Sequence, residues 1–174
     1  SGQGSELNTG SSCYLFGMSA IERPLPAEVF EHFQNYVGKA QGDELFAAFD
    51  QATRRLRAFA DSVVPDREEY RYAADKWTIK EVVQHLNDTE RILSYRALRF
   101  ARNDATELAG FEENDYVSEA ETARRSLGDL VREHNLIRQA TIALFNSFTP
   151  EMLLRSGSAN GKRISARALG WSIA

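Results

Sequence analysis

Cysteine is nearly absent. The 174-residue chain holds one, Cys13, which excludes an internal disulfide framework. No helix N-terminus or base stands beside Cys13 in the sequence, so nothing activates it as a nucleophile. No run of about 18 apolar residues occurs, so no membrane-spanning helix is expected. There is no secretory apolar segment either, and the expected compartment is the cytoplasm. Basic residues are not in excess: 21 Lys and Arg stand against 25 Asp and Glu, for a net charge of -4. Nucleic acid needs a concentrated basic surface, so this balance argues against it. No segment of useful length carries the two-residue period of a strand.

What is present is helical. With 43% hydrophobic and 26% charged residues, the composition is that of a globular domain with its own core. The longest uninterrupted pattern is Trp77 to Arg102, WTIKEVVQHLNDTERILSYRALRFAR, without Gly or Pro. Val82, Leu86, Leu93, Ala97 and Phe100 recur at helical spacings and predict one apolar stripe. Thr78 stands three residues before Glu81, the capping-box arrangement. His85 lies about 60° around this helix from Val82 and about 40° from Thr89. That places it at the margin of the predicted stripe, where an imidazole can face a bundle cavity.

Residues 1–17 are Ser- and Gly-rich without periodicity. They read as a leader foreign to the domain or disordered, with the domain spanning 18–174 from Met18. Pro24 and Pro26 require extended chain, and a short helix follows from Ala27 to about Val37. Phe30, Phe33 and Val37 form its buried face and His32 points outward. A long helix is expected from Asp43, as N-cap, to about Val63, with Leu45, Phe49, Leu56 and Phe59 inside and Arg54, Arg55 and Arg57 on a solvated face. Pro65 ends it, and a polar linker, 66–76, leads to Trp77.

The connection 103–120 is long enough to cross a bundle end. A third helix runs from about Glu121 to Ser147 and carries His134, read as a packing or surface residue. Thr149 heads a short helical turn through Leu154. Residues 156–163 read as a loop with a tight turn at Asn160–Gly161. A fourth helix starts at Ile164 and reaches Ala174. Its length of roughly 16 Å is half that of its partners. It is therefore expected to be cut short, with further chain or a second subunit covering the gap.

Four segments now align with a known pattern: KWTIKEVVQHLNDTERILSYRALRFARND, the loop GFEENDYV, IRQATIALF and ISARALGWSIA. Together they resemble the DinB-like superfamily over about Arg23 to Ala174. The resemblance implies an all-α, up-down-down-up four-helix bundle. It also implies a divalent metal, zinc or nickel, held by three histidines. One comes from the second bundle helix, and His85 matches it. The other two belong to a paired motif that follows the segment matching ALGWSIA, and the chain stops before it. His32 and His134 do not match those positions. A catalytic zinc takes three protein ligands, so the site is expected to be incomplete.

Relatives include transferases that add a low-molecular-weight thiol, such as bacillithiol or mycothiol, to an electrophile. The resemblance therefore implies a metal-dependent thiol transferase, with a small thiol and an electrophile as partners; a homodimer is expected as well, since a second copy would cover the unfinished fourth helix. In that chemistry the ion lowers the thiol pKa.

Candidate pocket residues beside His85 are Trp77, Asp88, Tyr95, Arg99 and Asn114. Trp77 would wall the cavity. Tyr95 and Arg99, one turn apart, would orient an anion. Asp88 would hydrogen-bond nearby or complete a weak site. Each has a structural alternative: Trp77 as core, and Arg96, Arg99 and Arg102 in surface pairs with Asp104 or Glu112. Two other classes of function stay open, a non-catalytic stress-associated binding bundle and a structural dimer. A ferritin-like di-iron site is set aside, because no Glu stands three residues before His85 or His134.

Overall fold

The computed structural model describes residues 20–174. The leader, Cys13 and Met18 lie outside them. The elements are α1 Glu31–Lys39, α2 Leu45–Ser62, α3 Ile79–Ala101, α4 Glu113–Glu119, α5 Leu127–Asn146 and α6 Pro150–Leu154. A hairpin follows, β1 Ser156–Ala159 and β2 Lys162–Ser165, and then α7 Ala166–Ile173. Among the described residues no helix is long and apolar enough to cross a membrane.

The bundle is built from α2, α3, α5 and α7. Both α5 and α7 pack against α2 and against α3. Side-chain pairs give the directions. Asn87 meets Leu130, Glu90 meets Arg138 and Ser94 meets Thr141, so numbers rise together and α3 runs parallel to α5. Phe49 meets Phe145, while Leu56 lies with Val131 and Leu127, so α2 is antiparallel to α5. Gly170 faces Phe145 whereas Ile173 faces Arg138, so α7 is antiparallel to α5 as well. The order is up-down-down-up, and a parallel α3–α5 pair requires the long connection between them.

Local signals explain most boundaries. Thr78 Oγ1 accepts from the Glu81 N–H at 3.2 Å and Glu81 Oε2 accepts from the Thr78 N–H at 2.6 Å, closing the expected capping box of α3. Asn103, at φ 61°, stops the helix in the left-handed region. Several boundaries differ from expectation. α1 begins at Glu31, after a separate 3-10 turn at Pro26–Glu28. Glu44, rather than Asp43, caps α2 by accepting from the Phe46 and Ala47 N–H groups. α5 begins at Leu127 because Ser126 and Asp129 form a second capping box there. Within 103–120 the chain makes an additional helix, α4, which buries only Val117.

The loop expected at 156–163 is a β-hairpin, and Ile164 sits in its second strand rather than in α7. Asn160 and Gly161, at φ 53° and 67°, form the tight turn in the left-handed conformation that two-residue hairpins favour. Pairing runs Ser156 to Ser165 through Ala159 to Lys162. Leu108 adds to the outer edge, donating to Ser158 O and accepting from the Asn160 N–H. Ser165 then caps α7 by accepting from the Ala168 N–H at 3.0 Å.

The larger core cluster gathers Leu45, Phe49, Leu93, Phe100, Phe145, Leu169 and Trp171. A smaller one holds Val83, Leu127, Leu130 and Val131. Between these positions on α3 and α5 lies a buried polar layer of Asn87, Glu90, His134 and Arg138. This layer corrects the predicted α3 stripe: Val82 and Leu86 are 43% and 40% exposed, and the inward positions are Val83, Asn87 and Glu90. On α2, Phe59 is likewise exposed. Residues ahead of α1 strap α7 in place. Trp171 Nε1 donates to Glu22 O at 2.9 Å, Arg23 lies 4.4 Å over the indole, and Arg167 pairs with Glu28.

Candidate functional site

His85, Thr89, Leu93 and Arg96 fall on one side of α3, at about 0°, 40°, 80° and 20° around the axis. They form one wall of a cavity of about 430 Å3. Facing them are His32, Phe33 and Tyr36 of α1, Leu169 and Ser172 of α7, the hairpin residues Asn160 and Lys162, and the Gly110–Glu113 segment that leads into α4. The hairpin and the α3–α4 connection thus close a space that a bare bundle would leave open.

His85 is half-buried. The Trp77 indole covers it, with ring centroids 4.8 Å apart and planes inclined at 44°. Thr89 Oγ1 lies 3.5 Å from His85 Nε2. Burial lowers the His85 pKa below its ordinary 6.5, and the opposing pull of Glu113 and Asp88 does not cancel it. The ring is therefore neutral at pH 7, with a lone pair available to a proton or a ligand.

Arg96 is the second ionisable residue of this α3 face. It is 8% exposed. Its Nη2 donates to Ala109 O at 2.9 Å, and its guanidinium lies 5.9 Å from the Phe111 ring. Burial lowers its pKa, and no carboxylate offsets that burial. Glu112, also on the cavity rim, is committed to α4 as its N-cap, accepting from the Asn114 N–H at 3.2 Å.

Of the sequence candidates, Trp77 and His85 come together. Trp77 covers the His85 ring without itself lining the cavity, so it does not wall it as expected, and the other four also lie outside. Asp88 accepts from Gln84 Nε2 at 2.9 Å and pairs with Arg91 at 3.6 Å. It lines a separate cavity of about 490 Å3 with Asp115, Glu119 and Arg125. Tyr95 is 52% exposed and accepts from Arg99, which also pairs with Asp104 as the structural alternative had it. Asn114 is exposed and bonds Glu112 through Nδ2 at 3.0 Å. Residues missed from the sequence are Arg96, Thr89, Tyr36 and Lys162. His32 is exposed, as expected, yet lies in the cavity wall.

The donor chemistry does not fit a three-ligand metal. Among the described residues no group of three His, Cys, Asp or Glu side chains is placed to hold an ion. His85 shares its cavity with His32 and Glu113 without completing such a set.

A family model described as the DinB superfamily matches residues 48–174. The chain belongs to the DinB superfamily. Among solved structures it is similar to YfiT from Bacillus subtilis, described as "a probable metal-dependent hydrolase with an unusual four-helix bundle topology". That likeness has a TM-score of 0.65 at 14% identity and covers 86% of this chain and 82% of the other. At such identity it speaks for the fold alone. No curated protein matches the chain. For this DinB-superfamily member the shared bundle topology therefore rests on the comparison, while the content of the cavity rests on its own residues.

Proposed function

We propose that this DinB-superfamily protein is a small-molecule transferase. A low-molecular-weight thiol attacks an electrophile in the His85 cavity: the neutral His85 imidazole takes up the thiol proton, the sulfur bonds to the electrophilic carbon, and the leaving group departs with its bonding pair, as chloride does from a chloroarene. The observation that carries the reading is the state of His85: half-buried, held neutral by desolvation and set in the wall of a 430 Å3 cavity. A neutral imidazole offers its lone pair to the thiol proton, and the resulting thiolate is the nucleophile. Cys13 lies outside the described residues, and the thiol is taken from the cosubstrate. Trp77 fixes the ring plane and keeps water off one face. The divalent ion implied by the superfamily finds His85 but not three ligands among the described residues.

The test is transfer of glutathione to 1-chloro-2,4-dinitrobenzene by wild type and His85→Ala, with metal content measured on both. The expected loss on removing a general base is about 100-fold or more. Equal rates for the two proteins would sink the proposal. Near-stoichiometric metal lost in His85→Ala would instead make His85 a ligand. The hydrolase description of YfiT gives a second activity for the same assay, release of p-nitrophenol from its acetate ester.

A further inference from the structure

An arginine buried without a carboxylate is unusual, because desolvating a guanidinium is costly unless an anion answers it. Arg96 is such a residue. It is 8% exposed and lines the His85 cavity. One of its five N–H groups reaches Ala109 O, at 2.9 Å, and it joins no ion pair among the described residues. Its buried counterparts are answered: Arg138 has Glu90 at 2.9 Å and Lys80 has Glu69. The acids on the cavity rim do not play that part. Glu112 caps α4, and Glu113 is exposed and acts on His85. Lys162, also on the rim, adds a second positive charge.

We propose that Arg96 receives the carboxylate of an elongated small-molecule substrate whose reacting end lies at His85. A planar guanidinium with free N–H groups matches a carboxylate in two-pronged fashion. The length follows from the helix. Eleven residues separate Arg96 from His85, so their Cα atoms lie about 16 Å apart along α3. Both side chains lean toward the helix N-terminus, so the arginine's extra length shortens the gap by only a few ångströms, to roughly 13 Å. A ligand touching both groups is thus a chain of that length, acid at one end. Leu93 and Leu169 between them offer an apolar middle. The inference rests on the reading of the His85 cavity as the substrate site.

The experiment compares hexanoate with its neutral isostere hexanamide by calorimetric titration of wild type, Arg96→Gln, Arg96→Lys and His85→Ala. Wild type is expected to bind hexanoate about tenfold or more tightly than hexanamide, the difference a charged hydrogen-bond partner makes. Arg96→Gln should lose that preference, Arg96→Lys keep part of it, and His85→Ala keep it whole. Equal binding of the two probes by wild type, or no binding of either at millimolar concentration, overturns the proposal without need of any variant. A preference that survives in Arg96→Gln, or that vanishes in His85→Ala, also overturns it. A failure of thiol transfer with the hexanoate preference intact would remove the reading of the chemistry and leave the carboxylate site standing.

Discussion

Arg138 Nη2 donates to Glu90 Oε2 at 2.9 Å in the middle of the bundle, with both side chains buried. The same guanidinium donates to Phe49 O at 3.4 Å and Ile173 O at 3.3 Å. One residue of α5 is therefore bonded to α2, α3 and α7 together. Removing one partner of a buried pair leaves the other charge unanswered. Glu90→Met or Arg138→Met should each cost about 3–5 kcal/mol in chemical denaturation, and the double variant should cost much less than their sum. Additive losses would show that the pair does not act as a unit.

His134 stands beside that pair. Asn87 Nδ2 donates to Leu130 O at 3.1 Å, which turns Asn87 Oδ1 toward His134 Nδ1 at 3.0 Å, so Nδ1 carries the proton and donates. Burial, and then the charge of Arg138, lower the His134 pKa to about 4, although Glu90 Oε2 lies 4.0 Å from Nε2. The unfolded chain takes up this proton near pH 6.5 and the folded chain does not. Stability is therefore full above pH 6.5 and falls as the pH drops toward 4, by up to about 3 kcal/mol. Urea denaturation at pH 7 and pH 5 should show the fall, and His134→Gln should flatten it. A slope of opposite sign would contradict the buried neutral ring.

Two glycines are set by contact rather than by conformation. A Cβ on Gly157 would stand 2.2 Å from Phe100 ring atoms, and one on Gly170 would stand 2.6 Å from Phe145 and 2.9 Å from Leu45. Gly→Ala inside a helix ordinarily gains about 1 kcal/mol. At Gly170 the overpacking outweighs that gain, and Gly170→Ala should lose about 1–3 kcal/mol. Gly157→Ala should lose at least as much by pushing the hairpin off α3. Thermal unfolding of both variants checks the sign.

The sequence was most legible where local chemistry decides. Thr78 and Glu81 marked the start of α3, Pro65 the end of α2, and Thr149 the head of α6. The α3 stripe was misread because periodicity counts apolar residues, whereas the inward face at Asn87 and Glu90 is polar and is satisfied only by partners on α5. The hairpin escaped because SGSA and KRIS carry no strand pattern. Gly157 is there to admit Phe100, a reason visible only in three dimensions. α4 escaped because ENDYVSE buries a single valine. At the site, His85 was placed beside a cavity by helix geometry and given a ligand role by resemblance, and Trp77 was reached by its place at the helix start. Arg96 had a signal in its spacing, since it shares the side of α3 that carries His85 and Thr89. Its lack of a carboxylate partner could not be read from the chain.

The central claim is that His85 stands neutral in the wall of a ligand cavity. Ring-nitrogen NMR of the three histidines across pH, with and without glutathione, tests it most directly. The His85 midpoint is expected below 6.5, with glutathione shifting the His85 resonances and leaving those of His134 in place. A His85 ring that titrates at or above 6.5 and is indifferent to the thiol would contradict it.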